Sequence, residues 1–68
     1  MILRKGQTYY RSEVGHYNIH YPSTNIKYEL LISVEVEPLP WLVPEGFKAY
    51  RVIAPQEYLQ ERVLWIES

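Results

Sequence analysis

The chain has no cysteine, so neither a disulfide nor a thiolate metal site can add to its stability, which excludes the secreted disulfide scaffolds and the zinc ribbons together. A reducing cytoplasm is the compartment this implies. Aspartate is also missing, so a nucleophile–histidine–acid triad would need a glutamate as its orienting group. Glycine is scarce: Gly6, Gly15 and Gly46 lie far apart and cannot make a phosphate-cradling loop. No apolar run approaches the roughly 18 residues of a membrane span, and Arg4 and Lys5 follow directly on Met1, Ile2 and Leu3, so no transmembrane helix or signal peptide is expected. Length is short too. The 68 residues are expected to form one small domain whose core gains little over the entropy it loses.

Aromatic residues are abundant, with seven tyrosines, two tryptophans and one phenylalanine. They bury large areas at low side-chain entropy cost, yet a domain of this size has room in its core for only some of them. The remainder should line a surface or an interface. Charge is uneven along the chain. Residues 1–28 carry Arg4, Lys5, Arg11 and Lys27 against Glu13, whereas residues 29–68 carry seven glutamates against Lys48, Arg51 and Arg62.

The clearest periodicity runs from Ile26 to Glu37. Ile26, Tyr28, Leu30, Ile32, Val34 and Val36 share one parity and only Leu31 breaks the alternation, which predicts a half-buried strand with the even residues in the core. Twelve residues would span about 40 Å, so this strand must coil, bend or overhang. Upstream, Thr8–Val14 reads as a first strand and Tyr17–Tyr21 as a second, with Gly15 as a bend between them. Pro22, Ser23, Thr24 and Asn25 read as the turn of a hairpin joining the second strand to the long one. Pro38, Pro40 and Pro44 end the long strand; Phe47–Ala54 resumes a strand. After Pro55 there are two readings, a helix from Gln56 to about Leu64 or a 3₁₀ turn over Pro55–Leu59 followed by a closing strand at Val63–Glu67. The second is favoured, because Val63, Leu64, Trp65 and Ile66 are poor material for an exposed helix end.

The segment Ala54-Pro55-Gln56-Glu57-Tyr58-Leu59, followed by Val63 to Ile66, resembles the Pro-x-x-Tyr turn and closing strand of SH3 domains. The resemblance implies an all-β fold, a small antiparallel SH3-like barrel or strongly curved sheet of four to five strands, with one short 3₁₀ turn or helix near the C-terminus. The acidic loop and paired tryptophans with which SH3 domains grip proline-rich peptides have no counterpart here. Architecture alone is therefore implied, and such barrels serve peptide, nucleic-acid and subunit docking alike.

No catalytic constellation emerges. His16 and His20 would lie about 13 Å apart on one strand, too far to share a metal. Glu35 and Glu37 alternate with apolar residues as a solvated strand face does. A non-enzymatic chain without metal or cofactor is expected. In Pro38-Leu-Pro-Trp-Leu-Val-Pro44, Trp41 either caps a thin barrel or is presented by rigid prolines to a partner's pocket. The expectation is an interaction or regulatory module that binds a larger protein through Trp41, Leu42, Phe47, Tyr9 and Tyr10. The alternative is single-strand nucleic-acid binding through Arg4, Lys5, Tyr9, Tyr10, Arg11 and Lys27, which interleave bases with aromatics. A homodimer pairing through Ile26 to Glu37 is a third.

Overall fold

The computed structural model describes residues 1–40 and 44–68. These form six strands in one antiparallel, strongly curled sheet: β1 (Ile2–Leu3), β2 (Thr8–Val14), β3 (His20–Glu29), β4 (Val34–Pro38), β5 (Phe47–Ala54) and β6 (Val63–Glu67), in the spatial order β1-β4-β5-β6-β2-β3. The result is a small half-barrel compatible with the SH3-like architecture. A 3₁₀ turn over Gln56–Glu61 precedes β6, so the turn-and-strand reading of the C-terminus holds. Among the described residues, no helix is long and apolar enough to cross a membrane.

The long strand predicted over Ile26–Glu37 is broken. β3 stops at Glu29, the backbone bends at Leu31 and Ile32, and β4 begins at Val34. Of the even residues, Leu30, Val34 and Val36 are buried and Tyr28 packs against the core, but Ile26 and Ile32 are exposed. The bend is a corner shared by two chain segments. β1 pairs with β4 and the start of β2 with the end of β3 in one register through the corner, as far as Tyr9 opposite Tyr28: Leu3 lies opposite Val34 and Thr8 opposite Glu29, five residues on along each segment. Between them, Leu30 accepts from the Gly6 amide at 2.8 Å and donates to the Gln7 carbonyl at 2.9 Å. Gly6 adopts a φ of +92° here, a conformation that side-chain-bearing residues rarely occupy. The Tyr58 hydroxyl accepts the Leu31 amide at 3.1 Å and clips the 3₁₀ turn onto the bend.

The predicted hairpin is also corrected. Tyr17–Tyr21 is not a strand: His16–Asn18 forms a tight turn in which Tyr17 and Asn18 take positive φ, and β3 starts only at His20. The segment Pro22 to Asn25 is not a turn but part of β3, so the hairpin partners are β2 and β3. Pro22 is tolerated because β3 is an edge strand, where a missing amide leaves no ladder bond unmade. The register slips between Tyr9 and Arg11, leaving a bulge on the β3 side that twists this edge.

Two apolar clusters sit on opposite faces of the sheet. The inner core comprises Leu3, Tyr9, Leu30, Val34, Val36, Tyr50, Val52, Leu64 and Ile66. The second joins Ala49, Val63 and Trp65, with Tyr10, Leu39 and Phe47 packed against them. β6 lies between β5 and β2 and serves both, Leu64 and Ile66 on one side and Val63 and Trp65 on the other. That is why its four apolar residues run without interruption: a strand covered on both faces has no polar side to present.

Candidate functional site

Beyond Tyr10, which lies opposite Trp65, β2 pairs only with β3, and the two strands continue as an arm. Near its end the Tyr21 ring lies over Gly15, so that a Cβ there would come within 2.7 Å of the ring and displace it. The arm carries apolar side chains that nothing covers: Val14 is 57% exposed, Ile19 60% and Tyr17 96%. Tyr17 stands at the turn with φ 59° and ψ 27°, a left-handed conformation that is unfavourable by about 1–2 kcal/mol for a residue with a Cβ.

At its base the arm is tied to the barrel by charge. Arg11 Nε lies 2.9 Å from Glu61 Oε2, and its guanidinium sits 4.3 Å above the Tyr28 ring, which stacks on Tyr9 at 5.5 Å. Burial pulls the Arg11 pKa down, but attraction and hydrogen bonding from Glu61 outweigh it and raise the value. The Tyr9 hydroxyl is also raised, first by burial and then by the Glu61 carboxylate. Lys27 Nζ lies 2.9 Å from Glu67 Oε1, the oxygen to which the Tyr10 hydroxyl donates at 3.1 Å. Hydrogen bonding with Lys27 holds the Glu67 carboxyl below its ordinary value, and the same bond holds Lys27 above its own.

The residues expected at a contact surface therefore separate. Tyr9 is a core residue, 4% exposed, and is corrected as both a protein-contact and a nucleic-acid candidate. Tyr10 and Phe47 do come together, ring to edge at 5.8 Å, as the rim of the second cluster. Trp41 and Leu42 lie outside the described residues. Arg4 and Lys5 are exposed in the corner turn, whereas Arg11 and Lys27 are both engaged by glutamates from the C-terminal strand and turn. Within Ile26–Glu37, β4 is flanked by β1 and β5, so only the β3 portion offers an open edge.

A groove of about 420 Å³ opens between His20, at the turn end of the arm, and the 3₁₀ turn. Leu39, Leu59 and Val63 give it an apolar lining; His20, Arg51 and Arg62 line it as well, and no lining residue is acidic. Arg51 Nε is held by Glu37 at 2.6 Å. Arg62 makes no ion pair among the described residues. Its backbone lies at φ 58°, ψ −60°, near the rare γ-turn region of positive φ, a conformation unfavourable by about 1–3 kcal/mol that persists only where the surroundings enforce it. Here Val52 donates to the Arg62 carbonyl at 3.0 Å while the Arg62 amide donates to Leu59 at 3.1 Å. No periodicity in the sequence marks this groove, because its residues come from β3, the residue after β4, β5, the 3₁₀ turn and the start of β6.

Compared with protein-family models, curated proteins and solved structures, the chain matches none of them.

Proposed function

We propose that this chain is a small non-enzymatic interaction module of SH3-like architecture, working in the cytoplasm and docking on a larger protein. One observation carries this reading: Val14, Tyr17 and Ile19 are displayed on the arm although the protein is short of core. Burying side chains of this kind would stabilise the fold by about 1.5–3 kcal/mol each. A chain this small leaves them in water at the end of a two-stranded arm, with Tyr17 in an unfavourable backbone conformation, as expected of a contact surface preformed for a partner. The second cluster's rim, Tyr10 and Phe47, offers a further aromatic surface on the barrel.

The pairing of Arg11 with Glu61 and of Lys27 with Glu67 weighs against nucleic acid. A phosphate backbone is held by cations free to replace its counterions, and these two are already neutralised.

The test is site-specific. A photo-crosslinking phenylalanine analogue placed at position 17 should yield, on illumination in host cells, a discrete protein adduct that survives nuclease treatment. The same analogue at position 35, on the solvated face of β4, should give none. An adduct removed by nuclease, or equal labelling from the two positions, would defeat the reading.

A further inference from the structure

We infer that a second copy of this chain covers the arm when no partner occupies it, arm against arm about a twofold axis close to Tyr17. Such a dimer rests on the arm being a contact surface, and it keeps that surface from water until a partner displaces the second copy. The first observation is in the sequence. From Val14 to Ile26 the chain runs 13 residues without an Asp, Glu, Lys or Arg, nearly twice the next longest such run, the 7 residues Pro38–Pro44, although 22% of its residues are charged. In the fold these residues make the end of the arm and most of β3, and none of them is buried. The solvated surface of a small domain ordinarily carries charge of both signs. Here Val14, Tyr17, Ile19, Tyr21 and Ile26 stand exposed instead, which is the composition of an interface centre.

The second observation is the kind of polar group found there. Close to a twofold axis a side chain meets its own kind, so a self-pairing surface excludes glutamate, which only accepts, and lysine or arginine, which only donate. The exposed hydroxyls of Tyr17 and Thr24 and the exposed amides of Asn18 and Asn25 each donate and accept. They can pair with themselves. Self-association is ordinarily suppressed by charge on the surface, and from Val14 to Ile26 the arm has none to keep two copies apart. The size suffices: a standard interface takes about 800 Å² from each partner, roughly a sixth of the 4961 Å² that this chain exposes, and the stretch is 13 of its 68 residues. Pro22 on the β3 edge has no amide to donate, so the copies meet through side chains rather than by continuing the sheet.

Sedimentation of the purified full chain tests this. Wild type should pass from monomer to dimer, and no further, as its concentration is raised from about 10 µM to about 1 mM. Tyr17→Glu and Tyr17→Lys should each stay monomeric throughout, because like charges would meet across the axis, whereas an equimolar mixture of the two should dimerise. Their circular dichroism should match that of wild type, since Tyr17 belongs to neither apolar cluster. Ile2→Lys puts a charge on an exposed apolar residue at the opposite edge of the sheet and should dimerise as wild type does. Any of these results would overturn the inference: a wild type still monomeric at the highest concentration or running on to larger species, single-charge variants that dimerise, a mixture that stays monomeric, or an Ile2→Lys variant that loses the dimer too. The outcome is separable from that of the crosslinking test. A chain that proves monomeric here can still be captured by a host protein at position 17, and capture by its own copy alone would be recognised by an adduct of twice the chain's mass.

Discussion

The barrel and the arm are made from the same kinds of residue and use them in opposite ways. In the barrel, Val34, Val36, Val52 and Leu64 share one buried core, and even the reverse face of β5 and β6 is covered, by Leu39, Tyr10 and Phe47. In the arm, Val14 and Ile19 stand on strands or turn residues with nothing above them. The difference lies in the number of neighbouring strands: β6 has two ladder partners and a layer on each face, whereas β3 has one partner and an open edge. Local composition therefore states that a segment prefers to be extended, and the topology decides whether its apolar side chains become core or contact surface.

The sharpest way to break the comparison is to remove an aromatic from each region. Trp65→Ala deletes the fully buried centre of the second cluster and should cost about 3–5 kcal/mol, enough to abolish a cooperative thermal transition in so small a domain, as read by circular dichroism. Tyr17→Gly, at the arm's turn, should instead raise the thermal midpoint. It relieves a left-handed conformation worth about 1–2 kcal/mol, less the extra unfolded-state freedom of glycine, for a net gain of up to about 1 kcal/mol. A loss of stability in Tyr17→Gly comparable with that of Trp65→Ala would show the arm to be part of the folding core.

The smallest effect is expected at the seam, where Lys27 of β3 meets Glu67 of β6. Because Glu67 is held below its ordinary value, its contribution is present above about pH 4.3 and is lost as the pH falls through the lowered folded value. Lys27 is held above its ordinary value, so its contribution is present below about pH 10.4 and is lost as the pH rises through the raised folded value. The difference in melting temperature between wild type and Glu67→Gln should therefore be a plateau between those limits and vanish outside them. Both groups are exposed, and high salt should flatten the plateau. A difference that persists at acid pH would mean that Glu67 acts through packing.

The C-terminal half was readable from its punctuation. Gly46 and Pro55 bound β5, and the apolar run from Val63 to Ile66 marks a central strand. The N-terminal half misled for a physical reason: proline usually ends a strand, and Pro22 is one of the exceptions that an edge permits. The real turn, with Tyr17 in a left-handed conformation, breaks the local preference of its own residues, and only Asn18 hints at it. The requirement that the long alternating stretch bend was legible from its length, but the place of the bend was not, because it depends on Gly6 and Tyr58 at distant positions. Of the proposed contact residues, Tyr9 was lost to the core while Tyr10 and Phe47 were brought together. The groove could not have been found, since neither its shape nor the backbone angle of Arg62 is written in any local pattern.

The corner at Gly6 and Leu30 has a consequence for how this chain tolerates changes in length. Because β1 with β4 and β2 with β3 keep one register through it, the two crossing segments behave like meshed gears. Deleting one residue between Arg4 and Gln7 would turn every side chain of β1 to the opposite face, exposing Leu3 and burying Ile2. A matching deletion between Leu31 and Ser33 would have to accompany it to restore the mesh. Insertions are far better accommodated at the arm's turn, where extra residues shift nothing that the barrel depends on.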